Sequence, residues 1–264
     1  MSEAVSHRVL GAVRLVDAAT GMQANDTFRV SVAGLKFVRN RIGYYVIYSA
    51  SRPPALRAHA NAFEQPPATP AIGDESFAGE IIPVGRMYLP RSFELDLPRD
   101  PDPANANQED SLFRPVDVRL YPSTTSTVDP GWAVIRMTVV GREGGEDRPL
   151  GGALIRVLQT VNGNTTVLAR GMTDWRGRIA GDGLVVVPGI PVTISSGGNG
   201  GGPVLTQQID VTLQAIFDPD AEGLPNPDAL EDNLSNPNTL KISTQAAQLA
   251  SGRHLPIRLT VLLD

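Results

Sequence analysis

The stretch Ala153-Leu154-Ile155-Arg156-Val157-Leu158-Gln159-Thr160-Val161-Asn162-Gly163-Asn164-Thr165-Thr166-Val167-Leu168-Ala169-Arg170 decides the fold. Two β-rich runs flank Asn162-Gly163-Asn164, and Asn-Gly supplies the positive φ that a tight hairpin needs. Outward from this hairpin the same grammar recurs: short apolar or alternating runs, broken by Gly, Pro, Asn and Asp. Toward the C-terminus, strands are expected at 184–187, 192–195, 207–217 and 255–263. Toward the N-terminus they are expected at 132–140, 115–121, 92–97, 80–87, 43–49, 27–33 and 8–16. Helix signals are confined to one place. Asn226-Pro227-Asp228 offers a cap, a proline at the first helical position and an early acid. Asn236-Pro237 repeats the start signal, so 240–250 is expected as a short helix ending at Gly252. The pattern predicts an all-β chain of one or two antiparallel sandwiches with a small C-terminal helical insertion at 226–252.

The chain has 264 residues, enough for one large or two small domains, and its 26 glycines and 22 prolines require frequent turns. Two blocks are expected. Residues 1–125 form a sandwich-like block with proline-rich links, and residues 130–264 form a second sandwich. The link at 52–70 holds Pro53, Pro54, Pro66, Pro67 and Pro70 and reads as extended chain. The acidic stretch 98–110 reads as an exposed, stiff connector, and 122–130 as a Ser/Thr-rich linker. Gly197-Gly198-Asn199-Gly200-Gly201-Gly202 is a loop tip rather than a phosphate cradle, because Pro203-Val204 follows it instead of Lys-Ser/Thr and a helix.

Net charge is −5, which argues against an electrostatic nucleic-acid binder and an anionic-membrane anchor. No apolar run reaches the length of a spanning helix. With no cysteine, disulfides and thiolate chemistry are excluded. The first residues lack a basic and an apolar leader region, so a cytoplasmic protein is expected.

Catalytic signals are sparse. His7, His59 and His254 form no HxH or HExxH pattern and are expected at the surface or at element boundaries. There is no GxSxG elbow, no Walker A and no GxGxxG after a strand. Glu94 and Asp96 share one face of a strand, which reads as a solvated outer face rather than a glycosidase pair. Asp100, Asp102, Asn105, Asn107, Glu109 and Asp110 place oxygens at alternate positions, as calcium would want. The loop lacks the glycine a calcium loop needs and is stiffened by Pro101 and Pro103, so no metal and no cofactor are expected. Trp132 opens an apolar strand and is expected in the core. Trp175, in a predicted turn, either covers the end of the sandwich or anchors a partner. The candidate partner-binding residues are therefore Trp175, Arg176, Asp100, Asp102, Asn105 and Asn107.

Three blocks carry a resemblance. They are Pro149 with Gly152-Ala153 and Val157; then Gly171-Met172-Thr173-Asp174-Trp175-Arg176-Gly177; then Gly183-Leu184-Val185-Val186-Val187. Together they resemble the carboxypeptidase-regulatory-like, transthyretin-like β-sandwich. That resemblance implies an Ig-like or transthyretin-like fold for 130–264 and an adhesive or scaffolding role rather than catalysis. The first block has a similar order, with Met22 where a proline is usual. Gly43-Tyr44-Tyr45-Val46-Ile47, Tyr88-Leu89-Pro90-Arg91, Leu97-Pro98-Arg99-Asp100-Pro101 and Leu112-Phe113-Arg114-Pro115-Val116 resemble proteins of phage-tail-like contractile injection systems. This implies a non-enzymatic structural or adaptor subunit of the cap, tail end or baseplate periphery. Its partners would be other structural proteins of the particle, and a ring of identical copies is compatible with it. The alternative from a different class is a carbohydrate- or surface-binding module. Alternation there puts Tyr44 and Tyr48 on one face and Tyr45 on the other.

Overall fold

The computed structural model describes residues 9–62, 65–127, 132–175, 184–190, 194–195, 205–206, 208–235, 237–250 and 254–264. The chain is all-β, and it divides into two compact units. The first comprises 1–16, 23–84 and 92–119, and the second 17–22, 85–91 and 120–264.

The first unit contains β1 (Gly11–Asp17), β2 (Phe28–Val32), β3 (Leu35–Arg39), β4 (Tyr45–Ala50), β5 (Glu75–Pro83), β6 (Arg91–Leu97) and β7 (Val116–Leu120), apart from their end residues Asp17, Arg91 and Leu120. One sheet has the order β3-β4-β1-β7 and the other β2-β5-β6. The chain changes sheet between β2 and β3 through Ala33-Gly34, where Gly34 takes a positive φ of 83°. Strand β3 was not among the expected strands. Strand β5 starts earlier than expected and ends at Pro83. Alternation buries one face of each strand: Val13 and Leu15, Tyr45 and Ile47, Phe93, Leu95 and Leu97. The Tyr45 hydroxyl donates to the Phe28 carbonyl at 3.1 Å, tying one sheet to the other. Tyr44 and Tyr48 stay half-buried.

The link at 52–70 is not wholly extended. Pro53-Pro54 lead into α1 (Leu56–His59), whose Leu56 and His59 are each 1% exposed. His59 is thus a core residue, contrary to the expectation of a surface histidine. His7 lies outside the described residues, as does the side chain of His254.

The second unit contains β8 (Ala133–Glu143), β9 (Glu146–Pro149), β10 (Leu154–Val161), β11 (Asn164–Met172), β12 (Leu184–Ile190), β13 (Ile194–Ser195), β14 (Leu205–Thr206), β15 (Gln208–Phe217), α2 (Pro227–Asp232), β16 (Lys241–Ala250) and β17 (His254–Leu262). One sheet has the order β11-β10-β15-β16. The other has the order β12-β8-β17, with β9 also on β8. The β10–β11 hairpin forms where it was read, with Asn162 at φ 51° and Gly163 at φ 81°. Strand β17 runs parallel to β8, the one parallel ladder among the described pairings.

The expected helix at 240–250 is a strand. Among the described residues of this region, only α2 and two three-residue 3-10 turns, Asn233–Ser235 and Pro237–Thr239, are helical. Residues 241–250 instead pair with β15 over ten consecutive positions, from Phe217↔Lys241 to Gln208↔Ala250. Ala246, Ala247 and Leu249 favour helix only weakly, by a few tenths of a kcal/mol each, and a full ladder outweighs that.

The two sheets enclose an aliphatic core of Ala133, Ile135, Met137 and Val139 from β8, Ile155 and Val157 from β10, Val185 and Val187 from β12, and Val211 and Leu213 from β15. Gly171 permits the close approach, since a Cβ there would lie 2.6 Å from Val187 Cγ2 and 2.9 Å from Val185 Cγ2. The outer face of β10 and β15 is buried too. Leu154, Met172 and Ile216 pack against Leu230 of α2, Leu240, Leu89 and Tyr121. The segments 17–22 and 85–91 belong to this unit, and from them Leu89 and Ala18 join that outer cluster.

Candidate functional site

Three places hold the described residues that the sequence singled out, together with others it did not. The first is the loop from Pro98 to Arg114. Asp100 is 5% exposed and shapes the loop from within. Its Oδ1 accepts the Asp102 backbone N–H at 2.9 Å, and its Oδ2 accepts the Asn105 side-chain amide at 2.7 Å. Asp102 in turn caps the short 3-10 helix Pro103–Asn105 by accepting the Ala104 N–H at 2.8 Å. The Asp100 and Leu112 N–H groups bond to the Asp110 and Asp100 carbonyls at 2.9 and 2.7 Å, closing the base. The Arg99 guanidinium donates to the Glu109 carbonyl, and Arg114 to the Asn107 carbonyl at 2.9 Å. Burial lowers the Arg99 pKa from its ordinary value, opposed by Asp110, Asp96 and Glu109. The result is a hydrogen-bonded loop that presents Asn107, Gln108, Glu109 and Asp110 to solvent. Both Asp100 oxygens thus accept bonds from its own loop.

Beside this loop, His59, Arg99, Leu10, Leu56, Leu97 and Leu112 line a cavity of about 10 Å³. Neither ring nitrogen of His59 has a hydrogen-bond partner among the described residues.

The second place is where the resemblance motifs meet. Thr173 is fully buried, and its Oγ1 accepts the Ala153 N–H at 2.8 Å. Main-chain bonds join Thr173 N to Ala153 O at 2.9 Å and Gly152 N to Thr173 O at 3.2 Å. Gly152 takes a φ of 83°, and a Cβ there would lie 3.5 Å from Trp175 Cδ1 and 3.4 Å from Pro225. Trp175 is accordingly half-buried against the Gly152 turn. Arg176, the glycine tract and the Gly177 turn lie outside the described residues.

The third place was not anticipated. Trp132 is half-buried instead of central, and it lines a cleft of about 220 Å³ with Asp17, Thr20, Met87, Tyr88 and Pro122. Asp17 Oδ1 accepts the Ala19 and Thr20 N–H groups at 2.8 and 2.9 Å, and its Oδ2 accepts the Tyr88 hydroxyl at 2.7 Å. The turn Asp17-Ala18-Ala19-Thr20-Gly21 was readable as a turn, but nothing in the sequence joins it to Tyr88 or Trp132. Arg91 was also missed. Its side chain is fully buried, ion-paired with Asp228 and 5.9 Å from the Tyr121 ring centroid.

No family model matches this chain, and no curated protein does. A solved structure that matches is the minor pilin GBS52 of Streptococcus agalactiae, at 12% identity and a TM-score of 0.26. The alignment covers 85% of this chain and 66% of that one, just under two thirds. A likeness at that score carries no argument about this chain. Among the described residues no helix is long and apolar enough to cross a membrane, which does not bear on strands.

Proposed function

We propose that the chain is a non-enzymatic structural or adaptor subunit that acts through protein–protein contacts in a phage-tail-like contractile particle. The observation that best supports contact-making is the 98–114 loop. Its backbone is held by Asp100, Arg99, Asp102 and Arg114, while Asn107, Gln108, Glu109 and Asp110 stay exposed. A pre-ordered loop loses little entropy when a partner docks, so its contacts convert more fully into affinity. The particle itself rests on the resemblance of the stretches around Gly43, Tyr88, Leu97 and Leu112. Affinity purification of the tagged chain from its native lysate, with mass spectrometry and negative-stain microscopy, tests it. Recovery of tube or sheath proteins, with the tag at one end of a particle, is expected. A chain recovered alone overturns it. Asn107→Lys with Glu109→Lys should abolish recovery without changing thermal unfolding.

A second reading, a carbohydrate- or surface-binding module, is favoured by the cleft. Trp132 and Tyr88 offer aromatic surface, and Asp17 and Thr20 offer acceptors and a hydroxyl. Saturation-transfer NMR with simple glycosides would distinguish it, since signal lost in Thr20→Val supports it and no signal excludes it.

A further inference from the structure

Charge is distributed unevenly along this chain. Net charge is −5, yet residues 27–63 contain no Asp or Glu and six cations: Arg29, Lys36, Arg39, Arg41, Arg52 and Arg57. All six are exposed. The fold gathers five of them along the β3–β4 hairpin. Lys36 pairs with Ser49 across the ladder, and the Arg57 guanidinium on α1 donates to the Ser49 hydroxyl at 3.4 Å. The Ser51 N–H bonds to the Gly34 carbonyl at 2.8 Å, which holds Arg52 beside the start of β3. At the other end, Arg39 lies 5.8 Å from the Tyr45 ring centroid. Asn40 pins the turn there. Its N–H bonds to the Tyr44 carbonyl at 2.9 Å, and its Oδ1 accepts the Tyr44 N–H at 2.8 Å. Arg41 and Ile42 thus stand in a fixed turn. Two aliphatic side chains interrupt the row of cations, Val38 at 52% exposure and Ile42 at 63%. Asp117, on β7 of the same sheet, is already paired with Arg14.

We infer that this hairpin docks an acidic polypeptide face of a neighbouring subunit, one in which carboxylates alternate with aliphatic side chains. Like charges held together without acids between them repel, and an opposing row of carboxylates relieves that repulsion. Arginine supplies four of the five cations on the hairpin. Its planar, weakly hydrated fork pairs with a carboxylate through two hydrogen bonds, which suits it to interfaces. Carboxylates alone would leave Val38 and Ile42 wet. A polyanionic glycan or a nucleic acid brings charge but no aliphatic surface to cover them, whereas an acidic polypeptide brings both. The row follows one strand and its turn, so Lys36 to Arg41 spans roughly 15 Å, the reach of about five extended residues. This inference rests on the reading of the chain as a contact-making subunit and names the chemistry of one partner. It uses none of the residues of the 98–114 loop.

Fluorescence anisotropy tests it, with the purified full chain and a labelled synthetic peptide of glutamates interspersed with leucines. The peptide is expected to bind, more weakly as salt rises, and its counterpart with Gln for every Glu is expected not to bind. Lys36→Glu with Arg41→Glu should raise the dissociation constant by about tenfold or more. Ile42→Ser should raise it by about threefold, through the apolar part alone. Arg148→Glu, on the exposed strand β9 of the second unit, should leave binding unchanged. Unchanged thermal unfolding of the variants separates lost binding from lost folding. A peptide that fails to bind overturns the inference, as does binding that survives the double reversal. Poly-glutamate, heparin or oligo-dT binding as tightly as the leucine-containing peptide also overturns it, since charge alone would then suffice. Salt-sensitive self-association of the native chain, lost in the double variant, would make a second copy the occupant and overturn it too. Because the assay uses the purified chain, its failure leaves recovery of the particle untouched. A chain recovered alone from lysate would equally leave peptide binding standing.

Discussion

Each face of the β11-β10-β15-β16 sheet holds a buried apolar cluster, but the two are built by different means. The inner face meets another sheet, strand against strand, through apolar side chains. The outer face meets α2, a 3-10 turn and pieces of chain from far away in sequence, and it is ringed by charge. Glu231 takes two hydrogen bonds from Arg170, each 2.8 Å, and lies 3.3 Å from Arg156 as an ion pair. The Glu231 hydrogen bond raises the Arg170 pKa against the effect of burial. Arg91 binds Asp228 and the Asn226 cap of the same helix. Sheet-on-sheet packing needs only matched alternation. A cover made of short irregular pieces cannot supply its own ladder, so side-chain bonds hold it in place.

Adjacent residues of β10 offer the sharpest test. Leu154 and Ile155 are each fully buried but point to opposite faces. Ile155→Ala and Leu154→Ala should each cost about 3–4 kcal/mol in chemical denaturation. If Leu154→Ala costs under about 1 kcal/mol, the outer cover is loosely packed and the comparison fails. Next, Arg91→Ala should cost about 3 kcal/mol, because a buried cation and the packing of its stem are lost together. Arg91→Met, which keeps the stem, should recover part of that, and equal losses would assign the whole effect to charge. On the inner side, Gly171→Ala should cost about 2 kcal/mol by forcing Val185 and Val187 apart. Asn226→Ala removes the side-chain bond to the Ala229 N–H and should cost about 1 kcal/mol.

The smallest effect belongs to neither face and sets a baseline. The Arg142 hydrogen bond to Asp147, helped by Arg258, lowers the Asp147 pKa below the ordinary carboxylate value. Its folded pKa is below its unfolded one. The stabilisation is therefore complete above the unfolded pKa and is lost as pH falls through the folded pKa. Asp147→Asn should narrow the gap in melting temperature between neutral and strongly acidic solution, slightly, given how exposed the pair is.

The inner face was legible beforehand. Ala133, Ile135, Met137 and Val139 alternate in β8, and Asn162-Gly163 announces its hairpin. The outer face was not, because no local signal joins Leu89 or Tyr121 to Leu154. Likewise the 98–110 stretch read as an exposed connector, and its acidic composition concealed that Asp100 turns inward to organise it.

Periodicity and turn chemistry, which act over a few residues, determined that this chain is all-β and where most strands lie. They also marked the start of α2. Only the tertiary structure decided that 241–250 is a strand, that β17 lies parallel to β8, and that segments near 17 and 85 complete the second unit. These outcomes depend on partners distant in sequence. A ladder or a buried face is stabilised by what it meets, and local propensity is too weak to oppose it.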